Sequence, residues 1–309
     1  MSADTRQRLR AASCLANRPG LQAGPWGASA NHQTPMTQPA LALCGISCTF
    51  VDRASPGQRY TAVRDVDLAV ADGEFVAVVG PTGCGKSTLL NVAAGLLAPS
   101  SGEVRVFGER LGDRINPRAG YMFQTESLMP WRTALDNVMA GLQFRGVGEA
   151  DARMQAEAWL QRVGLAEFGD RYPHQLSGGM RKRTSLAQTL ALDPDIVLMD
   201  EPFSALDIQT RQLMENEVLE LWSSKRKAVL FITHDLDEAI AMSDRVLVMS
   251  AGPAARLIGE FTVDLARPRD VAEIRTEPRF VALHKAIWAV LREEVLKGYS
   301  QQLRKVATA

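Results

Sequence analysis

Phe75-Val76-Ala77-Val78-Val79 runs directly into Gly80-Pro81-Thr82-Gly83-Cys84-Gly85-Lys86-Ser87-Thr88, and a stretch compatible with helix follows from Lys86 to Leu97. The valine-rich run reads as a buried strand, so the order is strand, glycine-rich loop, helix. In that context G-x-x-x-x-G-K-[ST] is a phosphate-binding loop. Glycines let backbone N–H groups close around phosphate oxygens, and the helix N-terminus adds positive potential. Lys86 is suited to neutralise β- and γ-phosphate charge, and the Ser87 hydroxyl to ligate Mg²⁺. Strands alternating with helices through the rest of the chain imply an α/β sheet with helices on both faces.

Downstream, Ile196 to Met199 is an apolar run of the kind found in a strand buried on both faces, and Val229 to Ile232 and Val246 to Met249 repeat it. Asp200 and Glu201 close the first of these runs. A carboxylate at that strand end can hold Mg²⁺, and its neighbour, free of the metal, can polarise an attacking water. The roles divide as Asp200 for metal and Glu201 for base. His234, between Thr233 and Asp235, follows the second run and is expected at the same sheet edge, in reach of a terminal phosphate. Leu176-Ser177-Gly178-Gly179-Met180 opens another helix with Ser177 as N-cap, which makes a second anion-binding helix end. Two such ends about 90 residues apart are consistent with two copies sharing nucleotide, though a capped helix without ligand has the same spacing.

The 309 residues suffice for a large core, and 46% hydrophobic with 23% charged residues is the composition of a globular protein. Thirty-five basic residues balance 35 acidic ones, which disfavours a dedicated nucleic-acid binder. No run of about 18 apolar residues occurs, so a role at a membrane has to come through a partner. The four cysteines, Cys14, Cys44, Cys48 and Cys84, form neither a disulfide framework nor a paired zinc motif, which suits a reducing cytoplasm.

Residues 1–40 are Arg-, Pro- and Gly-containing without hydrophobic period and read as a disordered extension, with Met36 a candidate translation start. Strands are expected over Ala40–Phe50, Asp65–Val70 and Glu103–Phe107, forming a β-rich N-terminal part. A helical subdomain is expected as an insertion over about 125–180, with Ala156, Leu160 and Val163 on its buried stripe. After a nucleotide domain over 41–275, a C-terminal helix over 276–309 carries Phe280, Leu283, Ile287, Leu291 and Val295 as a core-facing stripe.

Taken together, residues 41–295 resemble the ATP-binding cassette (ABC) family, with LSGGM at 176–180 the most specific part. The resemblance implies a P-loop nucleoside triphosphate hydrolase fold, ATP and Mg²⁺ as ligands, and a head-to-tail homodimer in which one protomer's Leu176, Ser177, Gly178, Gly179 and Met180 close on ATP held by Gly80 to Thr88 of the other. Gln124, in Tyr121-Met122-Phe123-Gln124, resembles the residue that ligands Mg²⁺ and senses a membrane permease. Ser204-Ala205-Leu206-Asp207 resembles the loop crossing the dimer interface, His234 the switch histidine, and Phe50 the aromatic that stacks on adenine. About a dozen residues separate Phe50 from the next expected strand, and Tyr60 within that insertion is the alternative stacking ring. Met129-Pro130-Trp131-Arg132 with Asp136-Asn137-Val138, the Met180 variant and Asp264-Leu265-Ala266-Arg267-Pro268-Arg269-Asp270 resemble nitrate, sulfonate and taurine importers. These imply an ATPase on the cytoplasmic face of the inner membrane, attached to permease subunits and served indirectly by an extracytoplasmic solute-binding protein. Gln188 stands where the family usually has arginine. The competing expectation is a soluble cassette of the DNA-repair or translation type, against which stand the lack of a coiled-coil insertion and of a second cassette.

Overall fold

The computed structural model describes residues 22–23, 38–51, 59–204 and 206–307, with only the backbone path for 22–23 and 301–307. The rest of the extension expected over residues 1–40, and the interface-loop residue Ala205, lie outside the described residues. Eleven strands are present among them: β1 (Gln22–Ala23), β2 (Leu41–Val51), β3 (Arg59–Val70), β4 (Phe75–Val79), β5 (Ser101–Val106), β6 (Glu109–Arg110), β7 (Ala119–Met122), β8 (Ile196–Asp200), β9 (Ala228–Ile232), β10 (Arg245–Met249) and β11 (Leu257–Thr262). The helices are α1 (Lys86–Ala93), α2 (Ala134–Phe144), α3 (Glu149–Arg162), α4 (Gly178–Ala191), α5 (Ile208–Lys225), α6 (Leu236–Met242) and α7 (Pro278–Ala307).

The main sheet has the order β1-β11-β10-β4-β9-β8-β7, and β10, β4, β9, β8 and β7 are parallel neighbours. Every residue of β4, β8 and β9 is buried, because both faces are covered. Period-two alternation divides them between two cores. Phe75, Ala77 and Val79 face helices α2 to α7, while Val76 and Val78 face α1 and a second, antiparallel sheet of order β3-β2-β5-β6. At roughly 1.5–3 kcal/mol per large apolar side chain, these inner strands hold the sheet rigid where the loops leave it. The C-terminal ends of β4, β9 and β8 are adjacent, so the residues after Val79, Ile232 and Met199 share one edge.

The helical insertion is α2, α3 and two short 3₁₀ turns leading into α4, and Ala156, Leu160 and Val163 are buried as expected. Three local expectations need correction. Helix α1 ends at Ala93 rather than Leu97 because Gly95 turns left-handed at φ 71°, where an added Cβ would come within 2.1 Å of the Arg114 carbonyl oxygen. The second strand of the β-rich part starts at Arg59, so Tyr60 lies on β3 directly across from Phe50 rather than in an insertion. On α7, Phe280, Ile287 and Leu291 are buried and Leu283 packs against the core, but Val295 is 39% exposed. Its place in the buried row goes to Glu294, whose carboxylate accepts the Ala251 N–H at 2.7 Å.

Candidate active site

The phosphate loop is shaped by positive φ at Gly83 (75°) and Gly85 (102°), and Gly85 caps the start of α1. A Cβ at Gly85 would approach Val63 Cγ1 within 2.6 Å, so both the dihedral and the packing exclude other residues. Lys86 is buried, and its Nζ donates to the carbonyls of Gly80 (2.8 Å) and Pro81 (3.0 Å), which holds the ammonium over the loop it belongs to. Cys84 packs beneath the loop, and burial pushes its thiol up, so it serves as a small apolar group there.

Asp200 ends β8 with its side chain 4% exposed. Burial pushes its carboxyl above the ordinary range, against a hydrogen bond from the Ser87 hydroxyl and with a further rise from Glu201. Its Oδ1 has no hydrogen-bond partner. A buried carboxylate oxygen left open beside a hydroxyl is the donor set of a hard cation that takes its remaining ligands from water and phosphate, so the residues fit Mg²⁺. Among the described residues no cluster of three or more His, Cys, Asp or Glu is placed to hold a metal ion.

Glu201 is left-handed at φ 46°, a conformation costing about 1 kcal/mol for a non-glycine residue. Its N–H donates to the Ile232 carbonyl at 2.9 Å, and the Ser204 hydroxyl donates to its carbonyl at 3.0 Å, so the turn is held from both sides. The strain re-aims the side chain. Oε2 accepts from Gln124 Nε2 at 3.2 Å and lies 3.2 Å from His234 Nδ1. Three residues singled out far apart in the sequence therefore meet on one carboxylate oxygen. His234 is presented by clamps on either side of it: Thr233 Oγ1 takes the Asp235 N–H and donates to Glu238, while Asp235 caps α6 through the N–H groups of Asp237 and Glu238. Its ring remains 59% exposed toward the sheet edge.

Behind this turn Glu215 of α5 is fully buried, and neither carboxylate oxygen has a hydrogen-bond partner. Burial, and then the neighbouring Glu238, push its carboxyl up to about 8. A carboxyl raised in the folded state contributes stability that is complete below the unfolded value near 4.5 and is lost as pH rises through about 8. Glu215→Gln mimics the neutral form and should stabilise the protein by roughly 2–4 kcal/mol at pH 8.5. The difference should vanish toward pH 4.5, as measured by urea unfolding at both pH values. An advantage independent of pH would show that Glu215 is ionised in the folded protein.

The signature segment is built as the sequence indicates. Ser177 is exposed, and its Oγ accepts the Met180 N–H at 3.2 Å, leaving Gly178 and Gly179 in the first turn of α4. Leu176 is buried, and Leu206 packs against Gly179, where an added Cβ would meet its Cδ2 at 3.3 Å. Asp207 caps α5 through the Thr210 N–H at 3.0 Å. Gln188 donates to the Asn137 carbonyl at 3.1 Å, so it joins α4 to α2 without charge. Phe50 and Tyr60 are both about two-fifths exposed and stand opposite on one face of the hairpin, and a Cβ added at Gly252 would lie 3.6 Å from the Tyr60 hydroxyl and 3.5 Å from the Gly83 carbonyl. A partly open cleft of about 220 Å³ lined by Trp159 and Trp222 shares no residue with this cluster.

Two residues have structural roles that sequence reasoning did not give, Asn137, quoted above only within the importer resemblance, and Lys182. Asn137 is fully buried, accepts the Met129 N–H at 2.7 Å, and donates to the carbonyls of Met129, Arg132 and Thr133, closing the loop that exposes Trp131. Lys182 is 1% exposed and donates to the carbonyls of Phe123 and Gln124. It stands four residues before buried Leu186 and seven before buried Thr189, so its inward direction was legible from helical period.

A family model described as ABC transporter matches residues 63–204. The taurine import ATP-binding protein TauB of Pseudomonas aeruginosa is 44% identical over 246 residues, 78% of this chain and 92% of that protein. The bicarbonate transport ATP-binding protein CmpD of Synechocystis is 41% identical over 226 residues, 72% of this chain and 80% of that protein. An ABC transporter ATP-binding protein of Methanocaldococcus jannaschii is 46% identical over 242 residues, 78% and 88% respectively. Among solved structures, a dimeric ATP-binding cassette in a post-hydrolysis state with ADP and Pi is 29% identical, with TM-score 0.66 over 73% of this chain and all of that one. These matches set aside the soluble repair or translation alternative. The chain belongs to the ABC transporter family, as an ATP-binding and ATP-hydrolysing subunit of the importer type.

Proposed function

We propose that two copies of this chain close head to tail around two Mg-ATP molecules and that the closing and reopening drive a membrane permease. The observation that carries the hydrolytic part is the meeting of Gln124 and His234 on Glu201 Oε2, next to the unpartnered oxygen of Asp200. In this reading Gly80 to Thr88 wrap the phosphates and Lys86 neutralises their charge. Ser87, Gln124 and Asp200 would hold Mg²⁺, which when bound would neutralise developing charge on the phosphate oxygens. Glu201 accepts the proton of the attacking water, and Gln124 and His234 orient its carboxylate. His234 turns its exposed ring edge to the terminal phosphate. Leu176, Ser177, Gly178, Gly179 and Met180 offer the capped end of α4 to the partner's ATP, and Ser204 to Asp207 line the interface. Adenine stacks on Phe50, with Tyr60 beside it as the ring nearer the phosphate loop.

The names of the relatives, a taurine import and a bicarbonate transport ATP-binding protein, support a subunit of a small-solute importer. Our reading places it on permease subunits at the cytoplasmic face of the membrane, fed through an extracytoplasmic binding protein, with taurine, another sulfonate, nitrate or a similar small anion or zwitterion as solute. Among the described residues no helix is long and apolar enough to cross a membrane, so attachment falls to the permease. The test is reconstitution in proteoliposomes with a candidate permease and solute-binding protein. Taurine, an alkanesulfonate or nitrate should raise ATP turnover several-fold. Stimulation by an unrelated solute such as a sugar would overturn the solute class, and failure to co-purify with the permease would overturn the assembly.

A further inference from the structure

A lysine that is 1% exposed and bonded only to carbonyls is an expensive choice, since a buried cation costs several kcal/mol that methionine or leucine would not. Lys182 Nζ donates to the Phe123 carbonyl at 3.0 Å and the Gln124 carbonyl at 2.7 Å, 59 and 58 residues earlier in the chain. Burial lowers its basicity, against the carboxylates of Glu126, Asp200 and Glu201, which favour its charge through space.

Those two carbonyls belong to the two peptide units on either side of the Gln124 Cα. Fixing both planes fixes the direction in which the Gln124 side chain leaves the backbone, and that side chain ends on Glu201 Oε2 at 3.2 Å. Gln124 lies just past the end of β7, a strand at the open edge of the main sheet, and no regular element follows until α2 at Ala134. A second thread runs beside the first, from Arg181 Nε to Glu126 at 4.0 Å. Both cations come from the first turns of α4, whose N-cap is Ser177. The helix that begins with the signature therefore grips the backbone of the residue that orients the carboxylate.

We propose that Lys182 is a positioning residue for hydrolysis: its ammonium pins the peptide units flanking Gln124, so that the contact between Gln124 and Glu201 depends on where the signature helix sits. The proposal rests on the reading of Gln124 and Glu201 as hydrolytic residues. A shift of α4 on closing against the partner then reaches Glu201 through two hydrogen bonds and one side chain, and a shift of the 123–133 loop reaches the signature by the same path in reverse.

The experiment is a double-mutant cycle on ATP turnover with Lys182→Met and Gln124→Ala. Lys182→Met should lower kcat on the order of 10- to 100-fold and leave ATP affinity within about threefold, because its hydrogen bonds go to the Phe123 and Gln124 carbonyls and not to the phosphate loop. Its thermal midpoint should hold or rise, since the buried cation has gone. In the Gln124→Ala background the same substitution should cost less than about twofold, because the group it positions is absent. Wild-type turnover in Gln124→Ala would remove the reading of Gln124 itself. Slow Gln124→Ala with wild-type Lys182→Met would overturn the positioning role, as would losses that simply multiply, which leave Lys182 a packing residue. If Lys182→Met does not fold, the cycle runs with Lys182→Gln, which retains an N–H donor, and the same multiplication of losses would overturn the proposal.

Discussion

Glu201→Gln should leave ATP binding within about threefold of wild type and reduce turnover by roughly 10²- to 10⁴-fold. The substitution keeps the size of the side chain and its place in the left-handed turn at φ 46°, so the strain, the Ile232 hydrogen bond and the Ser204 hydrogen bond are unchanged. What it removes is the negative charge of the carboxylate, and with it the basicity of the group on which Gln124 and His234 converge. The phosphate loop and Asp200 are untouched, so nucleotide still gathers the two protomers. Size-exclusion chromatography in Mg-ATP should then show an accumulated dimer that reverts to monomer in Mg-ADP. Turnover near the wild-type rate would strip Glu201 of its role as base and leave the acceptor to be found elsewhere.

Much of this site was legible because its parts sit where chain direction changes. Val79, Met199 and Ile232 close or nearly close buried strands, and a buried parallel strand announces itself as an unbroken apolar run, so the residues after each run belong to one edge. The motif residues at 80–88, 200–201 and 234 needed nothing further. Tyr60 was harder. Arg59-Tyr60-Thr61 lacks an apolar alternation, and its strand character comes from pairing with Thr49, Phe50 and Val51, a contact with no local signature. Helix α1 outran its true end because Leu96 and Leu97 continue the apolar pattern, while Gly95 already turns the chain beneath the Arg114 carbonyl. Val295 was assigned inward by period, but the loop at Ala251 needs an acceptor and selects Glu294 for the buried row. Asn137 and Lys182 bind carbonyls of irregular loops, and such partners leave no trace in periodicity. The side chains that hold the motif residues in place are thus set by tertiary contacts, and the motif residues by local sequence.

Lys86→Ala separates two jobs of one ammonium, the loop contacts seen in the structure and the proposed neutralisation of phosphate charge. The side chain is buried and spans its own loop through the Gly80 and Pro81 carbonyls, so part of its effect is on loop shape. The other part is phosphate charge, worth a charge-assisted contact of about 2–4 kcal/mol, or roughly 30- to 10³-fold in affinity. Comparing ligands divides the two. If Lys86 acts on the β- and γ-phosphates, the variant should lose most of its affinity for ATP, less for ADP, and almost none for adenosine, as read by calorimetry or equilibrium dialysis. If the loop merely collapses, all three should weaken together, because the adenine stacking proposed at Phe50 and Tyr60 would depend on the same hairpin and loop packing, including the approach of Gly85 to Val63. Equal loss for adenosine and ATP would therefore sink the phosphate assignment of Lys86. An ATP-selective loss would place the ammonium at the γ-phosphate end of the nucleotide, on the sheet edge shared by Asp200, Glu201 and His234, whose strands β8 and β9 lie beside β4.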